Sequence, residues 1–209
     1  MSKAHNGWLL ILGLILQLSG WIGVYPADPS TATHVQSAAL RGDETMAAIG
    51  LLMGFGGMIA TLIGLINVTR GMASVGGQGS AYAGVSATLL GLVAAAALIS
   101  AGFELSVIEA PSDASAAGMM GNSLAIGSAM MIGLGIATLL LGIAIMLGKN
   151  LNVLGKNLYI VVGVITIVAA VGLAVMPFTE RDSLVPMLAY FGWIIATLGL
   201  GIHSVKSAE

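Results

Sequence analysis

The chain alternates six long apolar stretches with short polar ones. The apolar stretches cover residues 7–25, 46–68, 81–103, 119–147, 158–176 and 185–205. A helix needs about 20 mostly apolar residues to cross a hydrocarbon layer that is roughly 30 Å thick. The pattern therefore predicts an all-α polytopic membrane protein with six transmembrane helices. The fourth stretch is the longest, and we expect it to tilt or to extend beyond the hydrocarbon.

One motif, Gly-x-x-Ile-Ala-Thr-Leu-x-x-x-Ile, recurs in the second, fourth and sixth stretches. Its copies begin at Gly56, Gly133 and Gly192. The other three stretches share a fainter pattern, and a proline follows the outer end of each. We interpret the chain as one domain, 1–209, built from three two-helix hairpin repeats at about 7–70, 81–149 and 158–206. Each hairpin returns to its starting side, so the repeats share one orientation and predict a pseudo-threefold arrangement about the membrane normal.

The motif also predicts where the helices pack closely. Helices in lipid associate through small residues that lie four apart on one face. We therefore expect the even-numbered helices to form a tightly packed inner ring through their small residues. The helix-packing pairs are Gly56 with Ala60, Gly133 with Ala137, and Gly192 with Ala196.

Few polar side chains lie within the apolar stretches. Each copy of the motif contains one threonine, at Thr61, Thr138 and Thr197. These hydroxyls either line a narrow path at one depth or, as we favour, bond back to carbonyls of their own helices. Gln17 lies in the first stretch, where an amide needs a partner. It either contributes to a polar lining or, more commonly for such an amide, fastens two helices together.

The basic residues indicate the orientation of the chain. The protein has 7 Lys and Arg residues against 9 Asp and Glu residues, which gives a net charge of -2. Basic residues are more frequent at the termini and in the loops after the second and fourth stretches. By the positive-inside rule, both termini of this multi-pass protein of the cell (plasma) membrane are cytoplasmic. The basic residues on that side are Lys3, Arg70, Lys149, Lys156 and Lys206, and those on the other are Arg41 and Arg181.

The charge pattern also limits the chemistry that we expect. No Asp, Glu, Lys or Arg falls inside a predicted span, which argues against proton-driven or ion-coupled transport. Glu104 follows the third span directly, and we expect it at the level of the lipid headgroups. There is no basic cluster that would bind nucleic acid, and the absence of cysteine excludes disulfides and thiolate ligands.

The first outer loop holds the densest set of metal-ligand residue types. It contains Asp28, His34, Asp43 and Glu44. Their spacing matches no ligand motif, so we interpret the loop as a solvated or docking segment without a metal. The three histidines are far apart in sequence, and no facing pair for haem is expected. We therefore predict no cofactor.

Two functional classes remain open at this point. The first is a structural or accessory subunit, whose partners are the lipid bilayer and other membrane protein subunits or copies of itself. The second is a channel or facilitator for a small neutral solute, lined by Gln17, Thr61, Thr138 and Thr197. An enzyme is not expected, because the spans offer no acid, base or nucleophile of ordinary strength.

Overall fold

The structure, a computed structural model, describes residues 2–149, 158–179 and 184–208, and these residues form seven α-helices. Six helices are long and apolar enough to cross a membrane, as the sequence predicted, and the short α2 is the exception. Lys156 and Arg181, which contributed to the predicted orientation, lie outside the described residues. The helices are α1 (Lys3–Leu18), α2 (Thr33–Gly42), α3 (Glu44–Val75), α4 (Ser80–Ile108), α5 (Asp113–Gly148), α6 (Leu158–Val175) and α7 (Leu184–Lys206).

The ends of the crossing helices follow local sequence signals. The first crossing continues past α1 as a π-helix, Ser19–Val24. The Asp43 carboxylate caps α3 by accepting from the backbone N–H of Met46, and the Ser112 hydroxyl caps α5 in the same way. With 36 residues, α5 is about 54 Å long. It therefore exceeds the hydrocarbon thickness, as expected for the longest stretch.

The six crossings form a closed ring in the order of the chain. Each of them packs against its sequence neighbours, and α7 packs against α1 to close the ring. The second, fourth and sixth crossings are α3, α5 and α7. The inner ring that we expected them to form is wrong for the described residues: α3 and α5 meet only marginally, and α7 packs against α6 and α1. Short connections place consecutive crossings side by side, so α3, α5 and α7 alternate with α1, α4 and α6 around the ring.

The interior of the ring is a continuous apolar cluster. All six crossings contribute to it, and its bulkiest member, Trp193, is only 2% exposed. Buried side chains that fill the interior include Leu14, Leu62, Leu90, Leu134, Leu173 and Leu200.

A separate cap covers the start of α3, the end of α4 and the start of α5. It consists of residues 26–43 of the first predicted outer loop, for which the sequence left a solvated or a docking segment open, and it contains α2. The cap packs mainly on α5, and its Ala27 and Leu40 are buried. Together with Val107, Ala116 and other small side chains, they form a second apolar cluster. On α2, the side chains that the bundle buries are Gln36, Ser37 and Leu40.

Candidate functional site

The three motif threonines are buried but lie on helices that alternate around the ring. Thr61, Thr138 and Thr197 are each at most 2% exposed. The Thr61 hydroxyl donates to the carbonyl of Gly57 in its own helix, at 2.9 Å. This is the local bond that apolar helices commonly use to satisfy a hydroxyl.

Gln17 joins the first and last crossings. Its Nε2 atom donates to the hydroxyl of Tyr190 at 2.7 Å, and the Gln17 side chain is only 3% exposed. The Tyr190 ring also stacks on Trp193, with the ring centroids 5.9 Å apart. The Oε1 atom of Gln17 has no hydrogen-bond partner among the described residues. The Gln17 amide therefore links α1 to α7, the two helices whose contact closes the ring.

The predicted packing pairs occupy unlike environments. A Cβ atom added at Gly56 would meet nothing within 4 Å, whereas one added at Gly57 would lie 2.3 Å from the backbone nitrogen of Gln17. Ala60 borders a groove of about 300 Å³ beside Trp8 and Leu12. The closest approach of α1 to α3 therefore uses a different face of α3 from the one that carries Gly56 and Ala60.

The other two pairs lie nearer to neighbouring helices. A Cβ atom at Gly133 or at Gly192 would stand 3.2 Å from a side-chain carbon of the adjacent helix. Ala137 and Ala196 are buried. The Ala137 carbonyl accepts a hydrogen bond from the Ser86 hydroxyl at 2.7 Å, which ties α5 to α4.

A buried carboxyl lies near the end of α4, just beyond the span 81–103 that the sequence predicted. Glu104 is 6% exposed because α4 continues to Ile108, five residues beyond the predicted end of this span. Glu104 is the one buried Asp, Glu, Lys or Arg among the residues that the structure describes. Glu104 is therefore enclosed by protein, and its level relative to the lipid headgroups stays a prediction.

Hydroxyl groups from three parts of the chain surround this carboxyl. The Tyr25 hydroxyl donates to Oε2 of Glu104 at 2.8 Å, and the Ser123 hydroxyl donates to Oε1 at 2.7 Å. The Ser100 and Ser123 hydroxyl oxygens are also 2.7 Å apart. We call these four side chains the Glu104 cluster.

The sequence contained a signal for the Glu104 cluster that hydropathy alone does not detect. Ala97, Ser100, Glu104 and Val107 follow one another at steps of three and four, so they share one face of α4. All four are buried. A stripe of this kind, continued past the apolar stretch, indicates that the helix and its buried face extend further.

The acidic residues and the histidine of the first outer loop have separate local roles. The Asp28 carboxylate accepts from the backbone N–H and the hydroxyl of Ser30, which lowers the pKa of Asp28. Asp43 caps α3, Glu44 begins that helix, and His34 is exposed on α2. Among the described residues, no three His, Asp or Glu side chains converge on a point where a metal ion could bind.

Comparison with known proteins finds no matching protein family, no matching curated protein and no matching solved structure. The class of the protein therefore follows from the fold itself. Six long apolar helices around a filled interior are compatible with a multi-pass integral membrane protein that contacts lipid.

Proposed function

We propose that this protein is a non-enzymatic structural or accessory subunit that packs against another membrane protein or a second copy of itself. The observation that carries this proposal is the unusual outer surface of α5. In its outer half, the exposed positions are all small or polar: Ala114, Gly118, Asn122, Ala125, Ser128 and Ala129.

The neighbouring helix α6 provides the contrast. Its exposed positions are bulky and apolar, among them Ile160, Val164, Val168 and Val171, as expected for a surface in contact with lipid tails. On α5, the exposed bulky hydrophobic side chains are Ile136 and Leu147, both in the inner half. Small residues let a second backbone approach closely, and an exposed amide such as Asn122 can bond across a helix pair.

The filled interior supports the subunit interpretation over the channel. A continuous cluster of buried Leu, Met, Phe and Trp side chains, to which all six crossings contribute, supports a packed bundle over a path lined by the motif threonines. The proposal assigns no catalytic role to the hydroxyls, amides and single carboxyl that are the buried polar side chains of the described residues.

Mild-detergent purification with bulky substitutions on α5 tests the subunit proposal. Gly118→Leu and Ala125→Leu fill the exposed stripe and should abolish recovery of the partner, or convert a dimer into a monomer on a native gel. Val168→Leu, at a lipid-facing position of α6, is the matched control and should change neither. Partner recovery that survives both α5 substitutions would contradict the proposal, as would an unaltered chain that is a stable monomer without a partner.

Solute flux into liposomes tests the alternative. The channel interpretation requires that replacement of Thr61, Thr138 and Thr197 by valine reduces flux. The subunit interpretation predicts no flux above that of empty liposomes, either before or after the substitutions.

We further propose the finer architecture that the sequence pattern predicts. The three hairpin repeats are related by rotation about the membrane normal, and both termini face the cytoplasm of the cell that carries the protein. The chain has no cysteine, so single-cysteine variants can report sidedness. Ser207→Cys should react with an impermeant thiol reagent only after the cells are opened, and Ser30→Cys should react in intact cells. The reverse pattern would overturn the orientation.

A further inference from the structure

Among the described residues, several hydrogen bonds join parts of the cap, residues 26–43, to one another. The Gln36 amide donates to the carbonyl of Thr31 at 2.7 Å and to that of Pro29 at 3.3 Å. The Ser37 hydroxyl bonds to the carbonyl of His34 within the same helix. A segment whose polar groups are satisfied internally can move as one unit without losing these bonds.

Among the residues that the structure describes, two polar contacts tie the cap and the residue before it to the bundle. Tyr25, which immediately precedes the cap, donates to Glu104. Near its end, Arg41 forms an ion pair with Asp113, the first residue of α5. The side chains of this pair are 30% and 98% exposed, and ion pairs so open to solvent contribute little to stability. We call these two contacts the clasps.

The apolar contact between cap and bundle is small and separate from the main core. It consists of the second apolar cluster, in which alanines predominate and the larger members include Leu40, Val107 and Met120. The main interior cluster contains no residue of the cap. Opening the cap therefore separates the second apolar cluster and leaves the main interior cluster of the ring in place.

The Glu104 cluster lies below this cap. A buried carboxyl without a charged partner is costly and is commonly a functional group. Its surroundings here are hydroxyl oxygens, with no basic side chain hydrogen-bonded to it among the described residues. An oxygen-only environment suits water and hard cations, and access to it from the outer side is controlled by whatever covers it.

We propose that the cap, residues 26–43, acts as a lid. It opens as a unit and admits water and small cations to the Glu104 carboxyl from the outer side. The lid pivots where it joins the first crossing and α3, and the two clasps favour its closed position. This inference is independent of the partner surface on α5.

The absence of native cysteine makes solvent access under the lid directly measurable. Ala116 is 1% exposed and lies in the second apolar cluster, so Ala116→Cys reports access to the space beneath the lid. In nanodiscs, where a polar maleimide reaches both faces, this cysteine should react slowly. Adding Tyr25→Phe and Arg41→Ala should accelerate the reaction about tenfold or more, since removing a hydrogen bond and an ion pair shifts an equilibrium by roughly that factor.

Two control cysteines distinguish lid opening from other changes. Ser30→Cys, on the exposed surface of the lid, should react rapidly and equally in both backgrounds. Ser86→Cys, buried within the ring beside α5, should remain unreactive in both. Val107→Cys, fully buried in the same cluster as Ala116, repeats the measurement from α4 in case Ala116→Cys disturbs α5.

Three outcomes would overturn the lid. One is that, with the clasps intact, Ala116→Cys and Val107→Cys already react with the maleimide as fast as Ser30→Cys does. Another is a rate at both positions that does not change when the clasps are removed. The third is a parallel increase at Ser86→Cys, which would mean that the ring opens instead of the lid.

Discussion

Replacing Gly57 with alanine should separate α1 from α3, whereas the same replacement at the adjacent Gly56 should be tolerated. The added Cβ atom at Gly57 would lie 2.3 Å from the backbone nitrogen of Gln17 and 2.5 Å from the carbonyl oxygen of Gly13. Ordinary contacts of a Cβ atom begin near 3.4 Å. The atoms in the way belong to the backbone, so no side-chain rotation can relieve the clash.

The magnitude follows from the displacement that is required. Moving α1 outward by about 1 Å breaks a close-packed contact, and overpacking of this kind typically costs about 1–3 kcal/mol or more. Both glycines lie within α3, so the gain in helix propensity from alanine, about 1 kcal/mol in water, applies equally to the two variants. The difference between them therefore isolates packing. We expect about 3 kcal/mol, roughly a hundredfold in the folding equilibrium.

Reversible unfolding of the two variants in mixed micelles of mild detergent and dodecyl sulfate, followed by circular dichroism, measures this difference. Gly57→Ala should unfold at a clearly lower fraction of dodecyl sulfate than the unaltered protein, and Gly56→Ala at the same fraction or a higher one. Equal stability of the two variants would refute the reasoning, because it would mean that α1 and α3 do not approach through the Gly57 face.

Three further predictions concern other contacts. Gly135→Ala should destabilise the packing of α5 on α6 by about 1–3 kcal/mol, because its Cβ atom would meet backbone atoms of α6 at 2.6 and 2.8 Å. Gly133→Ala is the control: its Cβ atom meets only a side-chain carbon, at 3.2 Å, so the variant should be near neutral in the same unfolding assay. Tyr25→Phe should lower the free energy of unfolding by about 1–3 kcal/mol, since it leaves a buried carboxylate oxygen without its donor, whereas phenylalanine at the exposed Tyr82 should have no effect. The carboxyl of Asp28 should titrate below its ordinary pKa of 3.8 in an NMR experiment, and replacing Ser30 with alanine should raise its midpoint towards that value.

The sign of the Asp28 effect follows from the lowered pKa. The hydrogen bonds from Ser30 favour the ionised carboxyl in the folded turn, so their contribution is present at neutral pH and lost as the pH falls through the folded midpoint. An unchanged midpoint in Ser30→Ala would contradict this account. For the other two predictions, the contradicting results are Gly135→Ala as stable as Gly133→Ala, and Tyr25→Phe as stable as the unaltered protein.

Small-residue packing shows how far a motif can be interpreted without coordinates. Glycines that are repeated along a span do predict close helix contact, and α3 has such a contact with α1. The motif drew attention to Gly56, but the contact uses Gly50, Gly54 and Gly57, which also follow at steps of three and four. Several faces of α3 carry small residues, so the face in use depends on how the helix is rotated about its axis, and that rotation is set by its neighbours.

The cap and Glu104 show which contacts a local sequence pattern does not predict. The composition of the first outer loop left a solvated or a docking segment open, and the position of Glu104 after an apolar stretch gave no sign that it would be buried. Both expectations treated each segment on its own. The cap buries Ala27 and Leu40 against three crossing helices, and Tyr25 reaches a carboxyl that lies 79 positions away in the chain. Contacts of such long range are not encoded in the local hydropathy.

The sequence by itself determined that the protein is all-helical and that six apolar segments are able to cross a membrane, because the length and hydropathy of a segment are local properties that lipid selects directly. Only the tertiary structure decided the alternating ring, the face through which α1 meets α3 and the burial of Glu104 under a cap. These features depend on which helices become neighbours and on how each is rotated about its axis. Sequences of equal hydropathy can cross the bilayer equally well with different helix neighbours and different buried faces.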